Sequence, residues 1–272
     1  ALAQPANGIL APDNLLYLYL AFVIVKSLHE FGHAYAARCH GVEVHRMGIM
    51  LIIFMPMPYV DVTPAWGLQS KWQKILIGAA GMMVEFFVAA LALFAWLSLE
   101  PGVLKSVCYN VIFVASVSSL LFNGNPLLRY DAYYILADLI EIPNLRQRST
   151  KYITDLLKKR LIGAQVTMTP ATPRERAWYL GYGILATIYR TIIAVGIILF
   201  IASQLFILGI LLAVIIAILW LVTPAVKMVK YCLFDPATRP VRWRAAGVLA
   251  AGVAVLAALL VAVPLPEGVR CP

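Results

Sequence analysis

Acidic side chains are scarce in this chain. Its 272 residues hold 13 Asp and Glu against 22 Lys and Arg, with only four His. Charged residues make up 13% and hydrophobic ones 62%, at a mean hydropathy of +0.85, which excludes an ordinary soluble domain. Cysteine is sparse too. Cys39, Cys108, Cys232 and Cys271 are scattered with no Cys-x-x-Cys, so neither a disulfide framework nor a thiolate zinc site is indicated. They read as small buried hydrophobes. The apolar runs do not alternate with polar residues, which argues against a transmembrane β-barrel. Residues 1–13 lack the basic start and apolar core of a signal peptide. The chain does not begin with Met and reads as a piece of a longer protein.

What is present is a set of apolar runs of about 20 residues, the mark of a polytopic all-α membrane protein. Six transmembrane helices are expected: about 14–37, 72–97, 103–122, 178–201, 205–226 and 245–263. Between the first two, Met47 to Met55 is apolar but too short to span as a helix, and Pro56 and Pro58 follow it. It reads as a strand or re-entrant segment embedded in the membrane, where an extended substrate could supply backbone partners. A purely structural tucked-in loop is the alternative.

The net charge of +9 does not point to nucleic acid. The basic residues cluster in loops that fall on one side of the six spans. Arg38, Arg46, Lys71 and Lys74 form one group, Arg146 to Arg176 a second, and Lys227 to Arg244 a third. The opposite loops hold little beyond Lys105 and Arg270. By the positive-inside rule the basic side is cytoplasmic, and both ends of the chain lie outside.

The first span carries His29-Glu-Phe-Gly-His33 near its inner end. Positions i and i+4 share a helix face, so both imidazoles can grip one metal ion. Glu30 stands at the edge of that face, where a base could reach an attacking water. Two satisfied core histidines would be the plainer reading in a soluble chain, but ionisable clusters are expensive in hydrocarbon and mark functional sites. A catalytic zinc usually takes three protein ligands. His40 and His45 lie past the helix end, at headgroup level. Asp131 is the better third ligand. It follows Phe122-Asn-Gly-Asn-Pro-Leu-Leu-Arg-Tyr130, where Pro126 breaks the third span. Asn123 and Asn125 offer amides for a substrate backbone or an oxyanion, or for capping the broken helix. Glu85 and Arg190 lie inside spans and could pair with each other.

Taken together, His29-Glu-Phe-Gly-His33 and Asn123-x-x-Pro126-x-x-x-x-Asp131 resemble the site-2-protease class of intramembrane zinc metalloproteases. The longer text from Phe122 to Tyr134, with Asp138-Leu-Ile-Glu-Ile-Pro-Asn-Leu145, is similar to the bacterial peptide zinc metalloprotease branch, linked with peptide maturation or export. The resemblance implies zinc on His29, His33 and Asp131, Glu30 as general base, and Asn123 near bound substrate. It also implies a multi-pass protein of the bacterial cell membrane, and because His29 and His33 fall late in an inward-running first span, the metal is expected nearer the cytoplasmic face. Its partners would be a peptide or membrane-protein substrate, the bilayer, and an exporter or adaptor subunit. A zinc-bearing scaffold without catalysis is the alternative, and the intact Glu30 argues against it. Two departures stand out. The class has Asp-Gly where this chain has Asp131-Ala132, and often Gly-Pro-x-x-Asn where this chain has Gly81-Met-Met-Val-Glu85. The expected organisation is an outer lead-in at 1–13, the catalytic membrane core at 14–123, and a cytoplasmic loop with Asp131 at 124–176. Membrane helices at 177–264 follow, then the start of a truncated outer region at 265–272, which resembles the beginning of a periplasmic adaptor barrel.

Overall fold

The computed structural model describes Ala11, residues 14–52, 55–164 and 166–234, and Thr238, Val241, Trp243, Arg244, Gly247 and Ala250. Among the described residues five helical runs are long and apolar enough to cross a membrane: Leu15–Cys39, Lys71–Ser98, Val103–Asn123, Pro173–Ser203 and Phe206–Cys232. These match the first five expected spans. The sixth, at 245–263, lies almost wholly outside the described residues. Large apolar side chains such as Leu16, Ile24, Phe87, Phe94 and Leu199 point outward. In water such a surface would aggregate, whereas against lipid it is the expected exterior.

The chain divides into two compact units, Ala1–Asn144 and Leu145–Pro272. The first unit begins with α1, Leu15–Cys39. Gly41 ends it: its φ of +75° closes a left-handed turn in which Gly41 N–H donates to Arg38 O and Val42 N–H to Ala37 O. Val42 then packs against Ala37, and Ala65 and Ile77 complete that core. A two-stranded antiparallel hairpin follows, β1 (Met47–Ile52) with β2 (Met55–Val60), Met47 opposite Val60. Here the structure corrects the single-strand reading, in which the prolines close the strand. Pro56 and Pro58 lie within β2. Asp61 N–H donates to Arg46 O at 2.9 Å, so the pairs alternate from there, and Pro58, Pro56 and Val60 fall at positions whose nitrogens point away from β1. A proline there breaks no ladder bond.

Next come α2 (Lys71–Ser98) and α3 (Val103–Val117), which widens into a π turn over Ser118–Asn123, and then α4 (Asp131–Leu139). Helix α1 packs on α2 and α3, and α4 packs on α2. Ala21 and Val25 of α1 meet Val114 and Ala115 of α3. Small residues let α1 and α2 approach closely: a Cβ on Gly32 would lie 3.0 Å from the Ala80 carbonyl oxygen.

In the second unit α5 (Leu145–Leu157) continues as a π turn over Lys158–Ile162. Thr172 and Glu175 form a capping box that starts α6 (Pro173–Gln204), and Pro173 supplies the favoured first-turn proline. Helix α7 (Phe206–Ala217) folds back on α6, and α8 (Thr223–Phe234) follows a further π turn. The Arg190 guanidinium lies 5.5 Å from the Trp220 ring centre.

Candidate metal centre

His29 and His33 occupy successive turns of α1 and are both buried, at 4% and 6% exposure. Their Nε2 atoms are 3.0 Å apart. Asp131 is the first residue of α4, where the helix dipole favours a negative charge. Its Oδ2 lies 3.0 Å from His29 Nε2 and its Oδ1 3.5 Å from His33 Nε2. The break between α3 and α4 makes this possible: the π turn, Gly124 and Pro126 redirect the chain so that α4 starts beside α1 and α2.

These distances test whether a metal fits. His33 Nδ1 donates to the Ile77 carbonyl at 2.7 Å, since a carbonyl can only accept. Its Nε2 is therefore a bare lone pair. His29 Nδ1 faces Glu85 Oε1 at 3.1 Å, off the line of a hydrogen bond, and an anion on that side favours a proton on Nδ1. Its Nε2 is then also bare. Asp131 Oδ2 is buried without a hydrogen bond among the described residues. With both rings neutral, three lone-pair donors converge, an arrangement that a cation relieves. Ligands at roughly 2.0–2.1 Å from a tetrahedral zinc sit about 3.3–3.4 Å apart, and the observed 3.0–3.5 Å fits that spacing. Gly81 of α2 backs the cluster. A Cβ there would come within 2.5 Å of His29 Cε1 and of His33 Nε2.

Glu30, the residue after the first ligand, lines a cavity of about 370 Å³ together with His33, Tyr59, Trp66, Tyr134 and Asp131. Its Oε2 accepts the Val60 N–H at 3.0 Å, so β2 is the strand beside Glu30. Also lining the cavity, Asp61 is held below the usual carboxylate range by the Thr63 side chain and then by the Thr63 N–H, which donates to its Oδ1 at 3.0 Å. Burial pushes the Asp138 carboxyl up, with Lys74 pulling it back.

The other residues named from sequence fall elsewhere. Asn123 is buried with its amide nitrogen unpartnered among the described residues, and it does not line the cavity. Asn125 also stands outside the lining, its Oδ1 taken by Leu127 N–H at 2.9 Å in a local turn. His40 Nδ1 bonds the Ala36 carbonyl, and His45 faces Glu43 at an exposed position. Glu85 is fully buried, and its ion partner is Lys26 at 2.7 Å in place of Arg190. Sequence reasoning missed Lys26. The signal was there, a charge one helical turn before His29 inside an apolar span.

Residues 17–265 match the model of Peptidase family M50. The chain belongs to this family. The family is one of membrane zinc metalloproteases, in line with the site-2-protease resemblance of the chain's motifs. A relative from Bacillus subtilis (strain 168), described as "Putative peptide zinc metalloprotease protein YydH", is 24% identical over 139 residues. The match covers 50% of this chain and 53% of the relative, so the chain spans about half the length of that relative. No solved structure matches.

Ala132, where the wider class has glycine, stands in the first turn of α4, and the described residues with positive φ do not include it. Its backbone therefore carries no left-handed strain. Ala132→Gly should change zinc affinity by less than about tenfold in a chelator competition, or 1.4 kcal/mol. A hundredfold gain would show instead that alanine distorts the ligand.

Proposed function

We propose that this M50 member is an intramembrane zinc endopeptidase that hydrolyses a peptide bond in an extended segment of a membrane-associated substrate. The observation that carries the reading is the convergence of His29, His33 and Asp131, the last two lining one cavity together with Glu30. A zinc ion held by the three side chains supplies Lewis-acid polarisation of the scissile carbonyl and lowers the pKa of its water to about 7. Glu30 takes the proton from the attacking water as its oxygen bonds to the carbonyl carbon. The C–N bond then breaks, and Glu30 passes the proton to the leaving amine.

The substrate lies along the outer edge of β2. That edge offers the carbonyls of Pro56 and Pro58 as acceptors but lacks their N–H groups. Its Val60 N–H is held by Glu30. An extended peptide therefore docks mainly by donating its own amides, which suits a strand and not a helix, whose amides are already bonded. Maturation or export of a peptide is the role we assign, from the resemblance of the motifs to the peptide zinc metalloprotease branch. Membranes carrying the chain should cleave a candidate peptide, stop when 1,10-phenanthroline is added, and resume with zinc. Cleavage indifferent to the chelator would rule the reading out.

The site opens towards the cytoplasm, because Arg38, Arg46, Lys71 and Lys74 flank it. Cys39, exposed at the end of α1, reports on this. With the other cysteines replaced by Ser, an impermeant thiol reagent should label it in inside-out vesicles alone. Labelling in right-side-out vesicles would invert the orientation.

A further inference from the structure

One face of α2 carries Ile77, Gly81 and Glu85 at i, i+4 and i+8, directly behind the two histidines. Each flanking residue addresses one ligand. The Ile77 carbonyl takes the Nδ1 proton of His33 at 2.7 Å, and Glu85 Oε1 stands 3.1 Å from Nδ1 of His29. Gly81, between them, leaves room for the imidazoles. Glu85 is fully buried, and both of its oxygens are held. Lys26 Nζ lies 2.7 Å from Oε1, the Ser119 hydroxyl donates to Oε2, and Ser118 shares the Lys26 ammonium. The π turn at the end of α3 is what brings both serines to this point.

We infer that Glu85 is a positioning residue for the metal centre: it fixes the Nδ1–H tautomer and the ring orientation of His29, while Lys26 neutralises its charge within the apolar helices. A simple buried ion pair would not need Oε1 turned to His29 as well. Among the described residues that nitrogen has no hydrogen-bond partner, and Glu85 Oε1 is the charged oxygen that faces it, whereas His33 has its own carbonyl. Groups that take the far N–H of a ligating histidine commonly account for 10- to 100-fold in metal affinity. This inference rests on the reading of His29 as a metal ligand. It does not depend on proteolysis.

Two double variants separate positioning from structure. Lys26→Met with Glu85→Met removes both charges and the acceptor. Lys26→Met with Glu85→Gln removes both charges but keeps an acceptor facing His29. Replacing a buried pair by neutral groups of similar volume is commonly tolerated. Zinc affinity by chelator competition and the absorption spectrum of the cobalt-substituted protein are the readouts. The Met/Met variant should bind zinc about 10- to 100-fold more weakly with shifted cobalt bands, and the Met/Gln variant should stay within about threefold of wild type. Equal affinities in the two variants, whether wild-type or weakened, would overturn the proposal. Nitrogen NMR of the zinc-loaded wild type tests it without any variant: His29 should carry its proton on Nδ1, and the opposite tautomer would overturn it. A wild-type chain that binds no zinc would refute the metal reading itself, whereas a zinc site indifferent to residue 85 refutes this inference alone.

Discussion

Glu30→Gln should abolish turnover while leaving fold and zinc content intact. Gln is isosteric, and its side-chain oxygen can still accept the Val60 N–H that Glu30 Oε2 takes at 3.0 Å. Glu30 lies outside the trio of His29, His33 and Asp131, so the metal keeps its three protein ligands. What is lost is a group able to take and return a proton. General-base catalysis contributes about 10²–10⁴-fold, and the rate should fall by that factor. Peptide cleavage assayed by mass spectrometry, with zinc measured on the same preparations, checks this. Wild-type cleavage by the variant would remove Glu30 from the mechanism.

Gly81→Ala should break the metal centre from behind. The added methyl has no free space. It would lie 2.5 Å from His29 Cε1 and His33 Nε2 and 2.6 Å from His29 Nε2, all far inside van der Waals contact. Either the imidazoles part or α2 withdraws from α1, and both outcomes spread the ligands. Overpacking of this kind costs about 1–3 kcal/mol. Taken on the metal, that is about 5- to 150-fold in zinc affinity. Gly78 on the same helix is a control, since its nearest neighbour is the flexible side chain of Ile135. Gly78→Ala should bind zinc within a few fold of wild type. Unchanged zinc binding by Gly81→Ala would mean that the histidines do not stand against α2 as described.

The fold was readable in the sequence where a single physical rule acts alone. Apolar run length marked the five described spans, with ends that differ by up to about six residues, because hydrocarbon tolerates little else. Helical periodicity brought His29 and His33 together without further information. Asp131 was reachable because Pro126 signals a break where a chain can turn back. The hairpin was less accessible. Whether Pro56 and Pro58 end a strand or sit along its edge depends on which residues exchange hydrogen bonds with β1, and the sequence does not encode that alternation locally. The partner of Glu85 was hidden for a related reason. Arg190 and Lys26 are both cations inside spans, and only the packing of α1 against α2 selects Lys26. The roles of Gly81, Ser118 and Ser119 are likewise tertiary facts, since nothing in their own neighbourhoods marks them.

The claim at the centre of this account is that one zinc is held by His29, His33 and Asp131. Zinc-edge X-ray absorption on the purified protein, with metal content measured alongside, tests it most directly. The expected result is about one zinc per chain with only nitrogen and oxygen ligands at roughly 2.0–2.2 Å, an imidazole signature from two histidines, and loss of most zinc in His33→Ala and in Asp131→Ala. A protein without zinc, sulfur ligands at roughly 2.3 Å, or full zinc retention in both variants would contradict it.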